Sequence, residues 1–228
     1  MKLLLAVTLI TGMVLGVKST VEKTGRLVDQ SKVSFNLSDD KKLNGPFEIK
    51  DVKGVSRVRG SYTENRRSGN WYCFDTNGKT VLRYNYDLKK LIVLDESQYA
   101  GVDIVVVDKD PEVVKNASIP VPVCSVTQLT KLVEEQLKND MPQRLKEEGG
   151  TVDAKFSIKI SPEGKAKYSA EYVFKGLSYK TMVFMPNKVF EIDWLPASYQ
   201  GKSYASEISF SSSFEALPAD HKRFIWNQ

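Results

Sequence analysis

A repeat of 24 residues in the first half of the chain limits the fold more than any other sequence feature. The segment NGPFEIKDVKGVSRVRGSY, residues 44–62, aligns without gaps with SGNWYCFDTNGKTVLRYNY, residues 68–86. Glycines, aromatic residues and an aspartate recur at equal spacing, in the pairs Gly45/Gly69, Phe47/Trp71, Asp51/Asp75, Gly54/Gly78 and Tyr62/Tyr86. Self-similarity at a fixed period indicates one structural unit that is used more than once.

The repeated unit has the pattern of a β-hairpin. Asn77-Gly78 separates two apolar and aromatic runs, and this dipeptide predicts a tight turn with a positive φ at both central positions. Gly54 takes the same place in the earlier copy. Trp71 and Cys73 alternate with Tyr72 and Phe74, as the period of two in a strand requires. We expect Gly45 and Gly69 to link one hairpin to the next.

These residues resemble the MORN-variant repeats of exported bacterial proteins over about residues 43–92. The resemblance implies an extended antiparallel ribbon that has no catalytic chemistry of its own. The matching positions are Gly60, Tyr62, Asn65, Arg66, Arg67, Gly69, Trp71, Phe74, Asp75, Gly78 and Lys79.

The N-terminus has the pattern of a signal peptide, which we place at residues 1–19. Lys2 precedes an apolar stretch from Leu3 to Val17, which is shorter than the roughly 20 residues that a transmembrane helix needs. Cleavage before Thr20 would export the protein, and an uncleaved membrane anchor is the alternative. The formal net charge of +5 would fall to 5 − 2 = +3 with the loss of Lys2 and Lys18, which weakens a nucleic-acid-binding hypothesis.

Catalytic and metal-binding patterns are not found in the sequence. The two cysteines, Cys73 and Cys124, and the single histidine, His221, cannot make a convincing zinc site. The cysteines form either a disulfide in an oxidising compartment or two buried thiols. We therefore predict no catalytic residue, no metal and no small-molecule cofactor.

Basic residues of the repeat region are candidates for an anionic contact face. The candidates are Arg57, Arg59, Arg66 and Arg67, and Arg83 shares their pattern. The alternative is a solvated edge where charge prevents unwanted strand pairing.

The character of the sequence changes after the repeat region, which we place at residues 20–108. VDIVVVD predicts a short buried strand over residues 102–107. Pro111, Pro120 and Pro122 then favour extended backbone over a helix, so residues 109–122 are a predicted linker.

The second half predicts one amphipathic helix and an antiparallel sheet. Ser125 and Gln128 form a capping box before a helical pattern that ends at Met141-Pro142, with Leu129, Leu132, Val133 and Leu137 on its buried face. Residues 151–174 alternate as a hairpin around Gly164, and residues 203–214 alternate as a third strand.

The order of these elements resembles the TonB C-terminal domain family. The motif residues are Trp194, Pro196, Gly201, Lys202 and Phe214. The resemblance covers roughly residues 122–216, and it implies two helices packed on a three-stranded antiparallel sheet, in a domain we place at residues 123–217. The second helix would begin at Pro186. A tail of residues 218–228 follows, and the predicted fold class of the whole chain is α+β.

The favoured function is that of a non-enzymatic, exported protein of a Gram-negative periplasm or outer envelope. Its TonB-like domain would bind or scaffold an envelope protein or peptide segment, such as part of an outer-membrane receptor, by strand addition. The candidate edge strand carries Tyr204, Ser206, Ile208 and Phe210. One alternative is a membrane-anchored energy transducer for outer-membrane transport, and a second is a cell-wall or anionic-polymer binding module. We expect no nucleic-acid partner.

Overall fold

The computed structural model describes residues 19–185 and 190–216. Antiparallel sheets dominate these residues and helices are few, which agrees with an α+β class. The first sheet has seven strands: β1 Thr20–Arg26, β2 Lys32–Ser38, β3 Leu43–Lys50, β4 Ser56–Thr63, β5 Arg66–Phe74, β6 Thr80–Asn85 and β7 Lys90–Leu94.

The second half begins with a 3₁₀ turn at Glu96–Tyr99 and then forms helices and a second sheet. The helices are α1 Pro111–Asn116, α2 Val126–Asp140 and α3 Gln143–Glu148. The strands are β8 Asp103–Val106, β9 Val121–Pro122, β10 Gly150–Ile160, β11 Ala166–Phe174, β12 Leu177–Val183, β13 Trp194–Leu195, β14 Ala197–Tyr199, β15 Lys202–Tyr204 and β16 Ser206–Ala216.

Every strand of the first sheet pairs with its neighbour in the sequence, as an antiparallel ribbon requires. Positive φ angles recur with the period of the repeat, at Gln30, Gly54 and Gly78 and again at Lys41, Asn65 and Lys89. The backbone therefore has a third copy of the repeat, N-terminal to the two that the sequence alignment detects. Gln30 replaces the turn glycine in that copy, which hides it from a comparison of residue types.

The turn after Phe74 differs from the predicted two-residue turn. The Gly78 N–H donates to the Asp75 carbonyl oxygen (3.2 Å) and the Asp75 N–H donates to the Lys79 carbonyl oxygen (2.9 Å). Only Gly78 has a positive φ, of 79°, and Asn77 does not. The Asp75 carboxylate explains the longer turn, because it accepts from the N–H groups of Asn77 (2.8 Å) and Lys79 (2.9 Å).

Gly45 and Gly69 lie inside strands and not at links between hairpins, so that prediction is wrong. Gly45 is in β3 and Gly69 is in β5, with φ angles of 105° and 61°. The strand register shifts beside each of them, between Phe35 and Leu37 and between Arg59 and Ser61. Glycine at these positions therefore serves a β-bulge, where two extra residues of the strand are accommodated and one of them takes a positive φ.

Aromatic residues on the inner side of the first sheet build its core. Trp71 is fully buried and stacks on Phe47 with ring centroids 5.3 Å apart. A Cβ added to Gly60 would lie 2.3 Å from the Trp71 ring, so the glycine makes room for the indole. The alternation of Trp71 and Cys73 with Tyr72 and Phe74 is confirmed, because only the first two are buried.

The second sheet has the strand order β12-β11-β10-β16-β8. Its β10–β11 hairpin and the positive φ of Gly164 confirm the sequence prediction. Helix α2 covers the inner face with the predicted residues Leu129, Leu132, Val133 and Leu137. The Gln128 N–H donates to the Ser125 hydroxyl (3.2 Å), but the Gln128 side chain donates to Asp29 (2.7 Å) in place of the predicted return bond to Ser125.

Three expectations for the second half need correction. The sheet has five strands where the resemblance implied three, because β12 and β8 add one strand at each side. The strand predicted over residues 102–107 is β8, which pairs with β16 and is largely exposed. The proline-rich segment contains the short helix α1, because Asp110 caps it and Pro111 takes its first position.

Several predictions concern residues outside the described part of the chain. The predicted signal peptide lies outside the described residues except for its last residue, Ser19. The predicted helix start at Pro186 lies outside them as well, and so do His221 and the rest of the tail at residues 218–228. The described residues 190–193, just before Trp194, are not helical.

The two sheets share one hydrophobic core. The same buried cluster contains Phe47 and Trp71 of the first sheet, Leu132 of α2 and Phe156 of the second sheet. Segment 190–195 lies between the sheets, since Phe190 stacks on Phe47 at 5.9 Å and Trp194 donates to the Tyr168 hydroxyl at 3.0 Å.

Candidate functional site

A groove of about 900 Å³ with a mostly apolar lining lies between the two sheets of the described structure. We call it the inter-sheet groove. Its apolar walls come from the β1–β2 turn, helix α2, the end of β12 and segment 190–193, through Leu27, Val28, Leu132, Met182, Phe184, Met185, Phe190 and Ile192. A concave site of this size with mostly apolar walls is the usual form of a binding site.

Two large apolar side chains stand exposed where β12 meets the groove. Phe184 is 74% exposed and Met182 is 46% exposed. Exposed apolar area beside a groove favours association with another molecule, because a partner removes that area from water.

Strand β12 is a free edge of the second sheet along its whole length. It pairs with β11 from Tyr168↔Val183 to Phe174↔Leu177, and no described strand pairs with its other side. Only Lys180 in β12 is charged, and it is paired with Glu171 (2.6 Å). Such an edge presents unpaired backbone N–H and C=O groups to a further strand.

Arg67 fixes the wall of the inter-sheet groove from the side of the first sheet. Its guanidinium lies 4.4 Å from the Trp71 ring centroid, donates to the Tyr86 hydroxyl (3.0 Å) and pairs with Asp193 (3.3 Å). It also donates to the Glu191 carbonyl oxygen. Burial alone would lower the pKa of Arg67, but the phenols of Tyr86 and Tyr62 and the Asp193 carboxylate outweigh burial and raise it.

The predicted anionic contact face is wrong for two of its four arginines. The Arg67 side chain is buried behind the groove wall, and Arg57 is buried in an ion pair with Asp51 (2.6 Å). Arg57 points inward because the register shifts at its position in β4. Arg59 and Arg66 are exposed on the outward side of the first sheet, as predicted.

The predicted partner-binding edge strand is an edge over only part of its length. Tyr204 lies in β15, while Ser206, Ile208 and Phe210 lie in β16, and all four are buried. Strand β16 is internal over Ser206–Ser209 because β8 takes its backbone groups there, whereas no described strand pairs with the same side of β16 from Phe210 to Ala216. Sequence spacing alone could not reveal this pairing, since β8 is far away in the sequence.

Burial suppresses the chemistry of the two thiols. Cys73 and Cys124 are both free and buried, so the second of the two sequence alternatives describes them. Burial raises the pKa of Cys124 to about 12 and also raises that of Cys73, which keeps both thiols protonated at neutral pH. Among the described residues, no group of three or more His, Cys, Asp or Glu side chains could hold a metal ion.

Comparisons of the chain with family models, curated proteins and solved structures found no match. None of the helices in the described ranges has the length and apolar character needed to cross a bilayer.

The sequence predicts extended backbone over residues 178–184, which form most of β12, but it did not predict that β12 is an edge strand or that the inter-sheet groove exists. The signal for β12 was the run LSYKTMVF, in which Tyr179 and Val183 alternate with Lys180 and Met182. The groove left no signal, because its walls come from five separate segments, among them the charged β10–β11 turn at residues 163–168.

Proposed function

We propose that the protein is a non-enzymatic, exported envelope protein that binds an extended peptide segment of a protein partner. The segment would add to β12 as a further antiparallel strand and place an apolar side chain in the inter-sheet groove. The observation that carries this proposal is the continuity of the two features, because Met182 belongs both to the free edge and to the groove wall.

Strand addition suits this edge because affinity and specificity come from different groups. Backbone hydrogen bonds to β12 would supply affinity for any extended segment, and the groove would select the side chain. A bound segment would also cover Phe184 and Met182. Burying one large apolar side chain contributes about 1.5–3 kcal/mol, which is enough for selection.

The resemblances to MORN-variant repeats and to TonB C-terminal domains are part of the proposal. They support an envelope location and a protein partner, and the signal-like N-terminal segment supports export. The proposed partner-binding edge is β12, in place of the strand predicted at residues 203–214.

Site-specific photocrosslinking tests this proposal. A photoreactive phenylalanine analogue is placed at Met182 in intact cells that produce the protein, and in a control it is placed at Val21. Val21 is similarly exposed (52%) and lies on β1, the edge strand of the other sheet. We expect one protein adduct that depends on Met182, with the crosslink in a segment that alternates apolar and polar residues.

The crosslinked segment is then made as a synthetic peptide and titrated against the purified protein. Replacing Phe184 by Ser should weaken binding about tenfold, as the loss of one buried aromatic contact predicts. Leu88→Ser is the matched control, because Leu88 is 70% exposed on the first sheet, away from the groove. Identical adducts from Met182 and Val21, or an affinity that Phe184→Ser leaves unchanged, would contradict the proposal.

A further inference from the structure

The outward side of the first sheet carries a strong excess of positive charge. Glu48 is the only carboxylate inside the six strands β2 to β7, and the other carboxylates of residues 32–94 lie in the turns between these strands. The register of the strands puts six cations on the outward side with it, because the alternate positions Val58, Cys73 and Leu82 are buried. These six are Lys32, Lys50, Arg59, Arg66, Arg83 and Lys90.

Two of the arginines are held in place by aromatic rings. The rings of Tyr72 and Phe74 are nearly parallel, with centroids 6.4 Å apart and an angle of 16°. The Arg59 guanidinium lies 5.9 Å from the Phe74 centroid, and the Arg83 guanidinium lies 5.4 Å from the Tyr72 centroid. Arg83 also donates to Asn70 (3.1 Å).

This stack prepares the guanidinium groups to bind carboxylates. A ring beneath an arginine restricts its rotamers before any ligand arrives, so less conformational entropy is lost on binding. Arg59 donates through Nη2 to Glu48 (3.1 Å) and to the Ser56 hydroxyl (3.4 Å), and 61% of its side chain is exposed, so a ligand can reach the guanidinium from solvent.

The two arginines lie in one row across the sheet, beside polar side chains. Arg59 is on β4 and Arg83 is on β6, so one strand separates them and the strand spacing puts their Cα atoms roughly 10 Å apart. A linear polymer with carboxylates along its length can cross this row and contact both guanidinium groups. Side chains that can bind sugar hydroxyls share this side of the sheet: Ser61, Ser68, Asn70 and Asn85.

We propose that the outward face of the first sheet binds a linear acidic polysaccharide, with its carboxylates paired to Arg59 and Arg83. This second binding function is independent of β12, which belongs to the other sheet. A protein with both sites would hold a peptide partner against an anionic glycan.

Titration of the full-length protein with polygalacturonate at low salt tests the inference. Arg59→Ser with Arg83→Ser should weaken binding at least about tenfold, because two bidentate carboxylate contacts are lost. Arg59→Lys with Arg83→Lys keeps the charge and should still weaken binding about threefold, since lysine loses the planar fork.

Lys155→Ser with Lys159→Ser is the matched control, because it removes the same charge from exposed positions of the second sheet. We expect it to change the affinity less than twofold. The inference is overturned if polygalacturonate does not bind, if the control loses as much affinity as the serine pair, or if the lysine pair binds like the original protein. Equally tight binding of polyglutamate or of oligo(dT) would also overturn it.

Discussion

The two sheets bury similar aromatic cores but are assembled by different kinds of strand pairing. In the first sheet each strand pairs with the next one in the sequence, and the same turn recurs every 24 residues. In the second sheet β16 pairs with β10 and β8, which lie far from it in the sequence. Local pairing leaves a periodic trace in the sequence, whereas distant pairing leaves none.

The contact between the sheets also differs in kind from the contacts within them. Inside each sheet, backbone hydrogen bonds and apolar side chains dominate. Between the sheets, Arg67 of β5 joins Tyr86 of the first sheet to Asp193 and Glu191 of the segment that forms the groove wall. Arg67 thus adds a charged link to the apolar contacts between the sheets, such as the stacking of Phe190 on Phe47.

Replacing Arg67 by Ala should have the largest effect, because it removes this link. We expect a loss of about 3 kcal/mol in the free energy of unfolding, because a buried side chain is lost together with its charged hydrogen bonds to Tyr86 and Glu191. Arg66→Ala is the control, since Arg66 is exposed and should change stability by less than about 0.5 kcal/mol. Urea unfolding followed by circular dichroism measures both. Equal effects of the two substitutions would show that Arg67 does not hold the sheets together.

The two arginines show how far the sequence could take the prediction. Arg66 and Arg67 are the same residue type, but Arg67 lies four residues before Trp71. Strand alternation therefore places Arg67 and Trp71 on the inner side of the sheet and Arg66 on the outward side. That signal was available. For Arg57 no signal existed, because alternation from Val58 assigns it to the outward side and the register shift in β4 turns it inward.

The elements themselves were more predictable than their partners. The hairpins of the repeat, helix α2 and the β10–β11 hairpin follow from periodicity within about 20 residues of sequence. The position of β16 inside its sheet, the free edge of β12 and the groove depend on distant pairing and on packing of separate segments. Those features decide the candidate site, so the sequence predicted most of the fold but could not single out β12 as the strand with an edge that is free along its whole length.

The second prediction compares one turn from each sheet. Gly78 and Gly164 occupy the same position of equivalent turns and have φ angles of 79° and 77°. A Cβ on Gly164 would lie 2.5 Å from the Trp194 carbonyl oxygen, whereas a Cβ on Gly78 would have only ordinary contact with Val55 at 3.8 Å.

Both substitutions to alanine therefore carry the same backbone strain, of about 1 kcal/mol. Gly164→Ala should lower the free energy of unfolding by about 2 kcal/mol more than Gly78→Ala does, because backbone atoms must move to relieve the overlap with the Trp194 carbonyl oxygen. The midpoints of urea unfolding compare the two directly. If Gly78→Ala were as costly as Gly164→Ala, the turns of the two sheets would be under equal packing constraint.

The third prediction compares two copies of the repeat. Asp51 and Asp75 make the same turn hydrogen bonds, but only Asp51 also accepts from a buried arginine, Arg57, at 2.6 Å. The position that corresponds to Arg57 in the next copy is Val81. At neutral pH, Asp51→Asn should therefore lower the free energy of unfolding by about 1.5 kcal/mol more than Asp75→Asn does. This difference is the typical contribution of one hydrogen bond to a charged group.

The effect of Asp51→Asn should also depend on pH. Burial alone would raise the pKa of Asp51, but hydrogen bonds from the Val55 and Lys53 N–H groups and the charge of Arg57 lower it below its ordinary value of 3.8. A lowered pKa means that the stabilisation is complete above that ordinary value and is lost as the pH falls through the lower folded-state value. The stability difference between the original protein and Asp51→Asn should thus be constant from pH 7 to pH 5 and shrink below about pH 4. A difference that persists undiminished at pH 2 would mean that the ion pair with Arg57 does not stabilise this copy of the turn.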